Sequence, residues 1–341
     1  MIAVVAVLPV FAVTVAASAG ATTRPAQVPP LGRPGILGLH VGPGTVDRAG
    51  SPAATSGNLL LDKGVLTPLA DVPGSAMTAY VDTNNRGEFA GYADAATATA
   101  QLRGFLRDAR GRFTKFDAPG ATQTLAFGLN DRGRVVGGYV DGGAVHGFAR
   151  NPGGGFTTFD VPGAAVTQAM GINNRDQIVG VYGDAGDGAR RGFIRTGDSF
   201  TTIDVPGAVG RSGAFDINDR GEIVGGYQDT QGMTHGFRLR DGVFTTIDPP
   251  GARDTLCPGP PGCRADIPGF AATAPLGINN RGQVVGQYAD AQGLHAYLLD
   301  HGVYTTIDPP GGTTIAADIN DRGQIVLPGP LGLFIQYSGP S

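Results

Sequence analysis

The sequence has no tryptophan, only two cysteines and few charged residues, and each shortage excludes something. Of its 341 residues 16% are charged, and acids and bases are interspersed to a formal net charge of −4. Because no basic run or stripe is visible, the usual footprint of nucleic-acid binding is missing and we expect no nucleic-acid partner. No P-loop, His-Glu-x-x-His motif or Ser/His/Asp order appears, so we expect no cofactor and no metal, and the catalytic residues, if any, are unknown.

Glycine and proline are abundant instead. The chain has 57 glycines and 25 prolines without a collagen period, which argues against a helical bundle. Many short strands joined by tight turns fit this composition. A hydrophobic fraction of 41% still suffices for a buried core.

The N-terminal segment differs from the rest of the chain. Residues 2–19 carry no charge and end in Ala17-Ser18-Ala19, a small-residue pattern of the kind cut by signal peptidase, although no Lys or Arg precedes the run. We interpret residues 1–19 as a signal peptide; the alternative is a membrane anchor, since about 18 apolar residues nearly span a bilayer. Residues 20–57 are predicted to be a Pro/Gly/Ala-rich spacer. We therefore expect a secreted or cell-envelope protein that keeps no stable membrane span after cleavage.

One sequence unit recurs along residues 58–341, the predicted repeat domain. Its motif, Asn-[Asn/Asp]-Arg-Gly, is spaced by 46, 43, 45, 61 and 41 residues, and four of these gaps are close to the length of one propeller blade. The third copy has Asp176 in place of Gly, which is tolerable because Asp visits the left-handed region readily. The motif begins at Asn84, Asn130, Asn173, Asn218, Asn279 and Asn320.

Each unit is predicted to contain four short strands. The motif suits a type I turn followed by a left-handed Gly, and it is followed by a β-rich run, a polar turn, a His-Gly-Phe segment and a Phe-Thr-Thr-Ile-Asp-x-Pro-Gly segment. Such small sheets must stack, and radial stacking closes a ring. Because residues 60–67 resemble residues 298–305, we expect the two ends to share one blade. The prediction is an all-β, monomeric β-propeller of six four-stranded blades; seven blades, or a β-solenoid, are the alternatives.

The units resemble the extracellular HAF repeats, named for their His-Ala-Phe core, over about residues 58–337. The resemblance lies in the run Ile-Asn-x-x-Gly-x-Val-Val-Gly followed by His-x-Phe. Gly usually replaces the central Ala here, and Arg103 and Arg191 replace His. The resemblance implies export and repetition, and it transfers no catalytic residues.

The longest gap marks an insertion within about residues 253–274. It contains Cys257 and Cys263, which in an exported protein are predicted to form a disulfide rather than two free thiols. The insertion falls on the ring face that carries the Asp-x-Pro-Gly turns, where we expect it to overhang the channel as a specificity loop; a tolerated surface insertion is the alternative. Its charged residues are the ligand-binding candidates: Arg253, Asp254, Arg264 and Asp266.

Other polar residues repeat from unit to unit, which favours structural roles. We expect the tyrosines of strand two to pack between blades, and His146, His235 and His295 to hydrogen-bond within strand three, because a metal ring would not tolerate Arg at the equivalent positions. Two sets of aspartates are predicted to satisfy turn N–H groups. They are Asp117, Asp160, Asp204, Asp248 and Asp308, and Asp94, Asp141, Asp184, Asp229 and Asp290.

This regularity favours a binding or scaffold module for an extracellular glycan or protein. The alternative is a propeller-type polysaccharide hydrolase or lyase, which should break the repeat with unmatched acids, His or Tyr on one face. Outside the insertion, His301 is the one such residue that we single out.

Overall fold

The computed structural model describes residues 40–41, 57–94, 101–183, 189–252, 273–309 and 315–329. The elements of this part of the chain are all strands, joined by turns and bends. In chain order they are β1 (His40–Val41), β2 (Leu59–Asp62), β3 (Val65–Pro68), β4 (Thr78–Thr83), β5 (Phe89–Asp94), β6 (Leu102–Arg107), β7 (Phe113–Phe116), β8 (Gln123–Leu129), β9 (Val135–Asp141), β10 (Ala144–Arg150), β11 (Phe156–Phe159), β12 (Val166–Ile172), β13 (Ile178–Gly183), β14 (Arg191–Thr196), β15 (Ser199–Ile203), β16 (Ser212–Ile217), β17 (Ile223–Gln228), β18 (Thr234–Arg240), β19 (Val243–Ile247), β20 (Thr273–Ile278), β21 (Val284–Ala289), β22 (Leu294–Asp300), β23 (Val303–Ile307), β24 (Asp318–Ile319) and β25 (Ile325–Leu327).

The strands form an all-β propeller, as predicted. Units 1 to 5 are β4–β7, β8–β11, β12–β15, β16–β19 and β20–β23, and each is an antiparallel sheet of four consecutive strands. The first strand of each unit lies innermost. Antiparallel strands alternate in direction, so the turn after every first strand and the turn after every third strand lie on the same face of the ring.

The two ends of the repeat domain combine into one closing unit. β2 pairs with β25 in antiparallel register, Leu59 opposite Leu327 and Leu61 opposite Ile325, so the sheet runs β24, β25, β2, β3. The predicted closure by N- and C-terminal strands is therefore confirmed. β1 adds a parallel fifth strand outside β3.

The number of separate sheets differs from the prediction of six. Hydrogen bonding gives five sheets among the described residues, because units 2 and 3 are joined into one sheet of eight strands. The junction is a single parallel pair, Val145 opposite Val166. The sequence still divides into six four-stranded units, so the junction alone accounts for the lower number.

A repeated glycine in the second strand of units 1 to 5 is required by close backbone approach. The first strand bulges two or three residues before its end, for example between Tyr80 and Asp82. A β-carbon at Gly91 would lie 1.9 Å from the Ala79 carbonyl oxygen, and one at Gly225 would lie 2.0 Å from that of Gly213. Only glycine fits there, which explains the recurrent Gly after the β-branched residues.

The core lies between the units. Phe148 of unit 2, which is fully buried, packs in one cluster with Ala90 and Phe116 of unit 1. Burial of such a side chain contributes roughly 1.5–3 kcal/mol, and most of this burial needs the neighbouring sheet. The ring therefore folds as a set of mutually dependent units.

Several predicted segments lie outside the described residues. They include the signal peptide, all of the spacer except His40–Val41 and Gly57, and residues 253–272 of the insertion, with Cys257 and Cys263. In the part that the structure describes, no helix is long and apolar enough to cross a membrane.

Candidate binding site around the central channel

The Asn-[Asn/Asp]-Arg-Gly turns converge at one end of the central channel, on what we call the asparagine face. In unit 1, Asn84 Oδ1 accepts the N–H groups of Arg86 and Glu88 at 2.9 and 3.0 Å. Gly87 has a φ of 76° and Asp176, its counterpart in unit 3, has a φ of 61°. The predicted turn geometry, including the tolerated Asp, is confirmed.

The first asparagines of the six turns form a closed ring of hydrogen bonds. Each donates from Nδ2 to the backbone carbonyl of the next one, at 3.0 to 3.2 Å, and the last bond runs from Asn320 back to Asn84. All six are at most 4% exposed. Each side chain thus fixes its own turn and ties that turn to the next unit.

A second ring, formed by the next residue of each turn, alternates amide and carboxylate. Its members are Asn85, Asp131, Asn174, Asp219, Asn280 and Asp321. Every backbone N–H donates to the next side chain's Oδ1 at 2.7 or 2.8 Å. Every Asn amide donates to both flanking carboxylates at 2.8 to 3.0 Å. Six carboxylates would repel one another and six amides would lack acceptors, so alternation satisfies the ring.

Two departures from the repeat compensate for each other. In five units the residue four after the ring asparagine accepts from its Nδ2, as Glu222 does from Asn218 at 2.6 Å. Unit 2 has Arg134 at this position, which cannot accept. Asp176 of unit 3 supplies the acceptor instead, at 3.2 Å from Asn130 Nδ2, and also pairs with Arg134 at 3.4 Å.

Three aspartates occupy an inner layer beneath the rings. Asp82, Asp216 and Asp318 precede the ring asparagine by two positions, where the other units have Gly128, Gly171 and Gly277. Each accepts a backbone N–H from the next unit at 2.7 to 3.0 Å. A β-carbon at Gly171 or Gly277 would approach the neighbouring carboxylate to 2.7 Å, so these glycines make room for the acids.

Burial is the main reason why the pKa values of these three carboxyl groups are raised. It raises the pKa of Asp82 well above its usual value, and the charge of Asp318 and a hydrogen bond with it add to the rise. Burial and the charge of Asp318 raise the pKa of Asp216 to about 8. Burial also raises the pKa of Asp318. Burial therefore favours the protonated form in this layer, most clearly at Asp216.

The space within the rings is small. The rings and the inner layer line a cavity of about 70 Å³. That is room for a few water molecules and well below the roughly 300–1,000 Å³ of ordinary ligand pockets. Among the described residues no group of three or more His, Cys, Asp or Glu side chains could hold a metal ion. The channel interior can thus order water and hold protons.

Six arginines surround the channel mouth on the asparagine face. They are the third residues of the turns, all exposed: Arg86, Arg132, Arg175, Arg220, Arg281 and Arg322. Several reach toward the next unit. Arg86 Nη1 donates to the Asp131 carbonyl at 3.0 Å, Arg132 pairs with Asp176 at 3.3 Å, and Arg281 donates to the Asp321 carbonyl.

The opposite face has a different arrangement, and it corrects one prediction. Asp160, Asp248 and Asp308 accept from His146, His235 and His295 at 2.8 to 3.0 Å, whereas Asp117 pairs with Arg103. This set therefore bonds to the side chains of strand three rather than to the predicted turn N–H groups, since those side chains lie directly opposite. In the other set, Asp229 and Asp290 accept turn N–H groups at 2.7 to 3.2 Å as predicted, and each also bonds to the histidine of its unit. Asp94 instead accepts N–H groups from the segment before β4, and Asp184 lies outside the described residues.

The tyrosines of strand two have a mixed role. Tyr92 contacts Phe127 of the next unit edge-on, with ring centroids 6.1 Å apart, as inter-blade packing requires. Tyr139, Tyr227 and Tyr288 also lie 5.1 to 5.3 Å from the histidine ring of their own unit. Each of these histidines therefore lies between a tyrosine ring and its aspartate.

The residues selected from the sequence and the residues that form this site are different sets. Arg253, Asp254, Arg264 and Asp266 lie outside the described residues, and so do both cysteines. β19 ends and β20 begins on the face opposite the asparagine rings, where the insertion was predicted to start and finish. His301 pairs with the adjacent Asp300 at 2.6 Å, is 87% exposed and is not among the residues that line the channel. The alternation of Asn and Asp after the ring asparagine was a visible signal that we did not interpret.

Comparison with known proteins identifies a fold and no family. No family model and no curated protein matches the sequence. A putative TolB from Agrobacterium tumefaciens aligns with a TM-score of 0.56 at 14% identity, over 80% of this chain and 97% of that one. A virginiamycin B lyase from Staphylococcus aureus, bound to quinupristin, aligns with a TM-score of 0.43 at 11% identity, over 82% and 93%. Aleuria aurantia lectin with α-methyl-L-fucoside has a TM-score of 0.41 at 10% identity, over 71% and 87%. At 14% identity the likeness to the TolB structure extends to the fold alone. The other two alignments have TM-scores below 0.5 and indicate nothing further.

Proposed function

We propose that this protein is an exported binding or scaffold module for an extracellular glycan or protein. The observation that supports a binding role is that the polar groups of the channel are hydrogen-bonded to one another. The ring asparagines and the alternating Asn/Asp ring bond to one another and to backbone, and the cavity beneath them is about 70 Å³. Such groups hold a rigid surface in place and leave none of their own donors for a substrate.

Export is part of the proposal and rests on the N-terminal apolar run and on the HAF-like units. Removal at Ala19 would leave a mature chain that begins at Gly20. N-terminal sequencing of the secreted protein tests this step. Retention of residues 1–19 with detergent-dependent solubility would support the anchor instead.

A glycan array and capture of extracellular proteins by the immobilised chain together test the binding proposal. We expect saturable binding to at least one glycan class or one extracellular protein, and none by the heat-denatured chain. Absence of both would contradict the proposal. A variant that lacks residues 253–272 tests the insertion separately: a specificity loop predicts an altered binding pattern, a tolerated insertion an unchanged one.

A polysaccharide hydrolase or lyase is the second candidate, and one observation favours it. Asp216, with a pKa near 8, holds a proton at neutral pH, as a general acid must. Its enclosed position is a weakness, because a sugar ring would have to enter the small cavity. A reducing-sugar assay against the Asp216→Asn variant and a heat-killed control separates the candidates. Product release by the native chain alone would favour the enzyme.

A further inference from the structure

We infer that the six arginines of the asparagine face form a multivalent site for an acidic polysaccharide. This inference rests on the proposed binding function and names the ligand class. The chain has a net charge of −4, yet every unit places one exposed Arg at this mouth. The opposite face instead has an Asp at the end of each outer strand in units 1 to 5: Asp117, Asp160, Asp204, Asp248 and Asp308. The aspartates of units 1, 2, 4 and 5 in this set are already paired with an Arg or His of strand three. The arginines of the asparagine face stay exposed, so this mouth is the one that offers cationic donors to an approaching anion.

The guanidinium groups keep donors available for a ligand. The side chains of Arg86, Arg132 and Arg220 are 57%, 63% and 48% exposed, although each has an acidic partner or a carbonyl nearby. A guanidinium has five N–H donors, and the bonds described here use one or two of them. The remaining donors match the two oxygens of a carboxylate or sulfate in bidentate geometry.

The ring beneath holds the arginines in a fixed arrangement. Arg175 Nη2 lies 3.1 Å from the position that a β-carbon would take at Gly221, and Arg322 Nη2 lies 3.2 Å from that position at Gly87. Each side chain therefore lies over the turn of the next unit, where glycine leaves space. The carboxylates of the alternating ring are already hydrogen-bonded by amides, which limits their competition for the arginines. The result is a circle of six similar cationic sites on a rigid support.

A polymer with a charge on each sugar fits such a circle better than a single anion does. Exposed ion pairs are individually weak, but linked sites gain from effective concentration. A nucleic acid fits less well, because the described residues present no exposed Phe or Tyr ring on which bases could stack. The inferred ligand is therefore a polysaccharide rich in uronate or sulfate.

The test compares two triple variants that lose the same charge. Arg86→Gln/Arg175→Gln/Arg281→Gln removes every second cation of the circle. Lys115→Gln/Arg191→Gln/Arg211→Gln changes the opposite side and is the matched control. Melting temperatures verify that both variants fold. Affinity electrophoresis then uses polygalacturonate, galacturonic acid monomer, a sulfated polysaccharide, uncharged dextran and single-stranded DNA as probes.

We expect the native chain and the control to bind an acidic polymer. The affinity of the circle variant should be lower by a factor of about ten or more. Binding should weaken between about 0.05 M and about 0.2 M salt, and the monomer and dextran should not bind. Equal binding by both triple variants, or tighter binding to DNA than to either acidic polymer, would overturn the inference. If no acidic polymer binds but an array glycan or protein does, the inference fails and the proposed function stands. If nothing binds in either experiment, both fail.

Discussion

On the asparagine face, polar side chains bond from one unit to the next, whereas on the opposite face they bond within a unit. Asn130 donates to Asn173 across a unit boundary, but His146 and Asp160 belong to the same sheet. The unit-to-unit bonds close a ring, so each depends on all the others. Within this chain the six ring asparagines are invariant, while the histidine position accepts Arg. The difference indicates that the asparagine face holds the ring together and that the opposite face is free to vary.

Removal of one ring asparagine should give the largest effect. Asn218→Ala deletes donors to Glu222 and to the Asn279 carbonyl, and the acceptor for two turn N–H groups. Because these groups are buried, we expect the free energy of unfolding to fall by about 3 kcal/mol. Urea denaturation measures the loss. Asp290→Ala on the opposite face is the control, with a smaller loss expected because water replaces the carboxylate there. Equal losses would contradict the comparison.

A change of one atom should test the alternating ring. Asn174→Asp places a carboxylate between those of Asp131 and Asp219, so that three adjacent ring positions are acidic. It also removes the two amide donors that bond to these neighbours. We expect the free energy of unfolding at pH 7, measured by urea denaturation, to fall by about 2 kcal/mol.

Gln177→Glu is the matched control for this variant, since it adds the same charge to the same turn. Glu occupies the equivalent position in units 1 and 4 and accepts from the ring asparagine there. We therefore expect little change in the unfolding free energy. A similar loss in both variants would attribute the effect to charge alone.

The inner layer predicts a pH dependence with a definite sign. Asp216 has a pKa of about 8 in the folded chain and about 3.9 when unfolded. Between these values the folded chain holds a proton that the unfolded chain has lost, so stability falls as pH rises from about 4 to about 8. Asp216→Asn stays neutral throughout, and its unfolding free energy should decline less, by about 1 kcal/mol or more over this range. Parallel pH profiles for the native chain and the variant would contradict the assignment.

The fold could be predicted because the repeated motifs show the length of each unit and the order of its strands and turns. Short segments of sequence were enough: turn residues such as Gly87 indicate the local geometry. The likeness of residues 60–67 to 298–305 indicates that the two ends close the ring. The site could not be predicted in the same way, because it consists of residues about 45 positions apart that meet only when the ring closes. The six arginines are also about 45 positions apart, so they do not appear in the sequence as a basic cluster. Asp82, Asp216 and Asp318 were the unmatched acids that a broken repeat should show, but their significance depends on the glycines that make room beside them.

The opposite face should respond least. Burial lowers the pKa of His235, but hydrogen bonds and charges from Asp248 and Asp229 outweigh it, and the pKa is raised above its usual value. The ion pairs therefore stabilise the fold below about pH 6.5, and this contribution is lost as pH rises through the raised pKa. Solvent weakens these ion pairs, because the histidine side chain is 25% exposed and those of Asp229 and Asp248 are 22% and 39% exposed. His235→Gln should therefore lower the unfolding free energy by only about 0.5 kcal/mol at low pH and by almost nothing near pH 9. His301→Gln, on an 87% exposed side chain, is the control and should change nothing measurable. A loss at His235 as large as that at Asn218 would show that bonds within a unit matter as much as bonds between units.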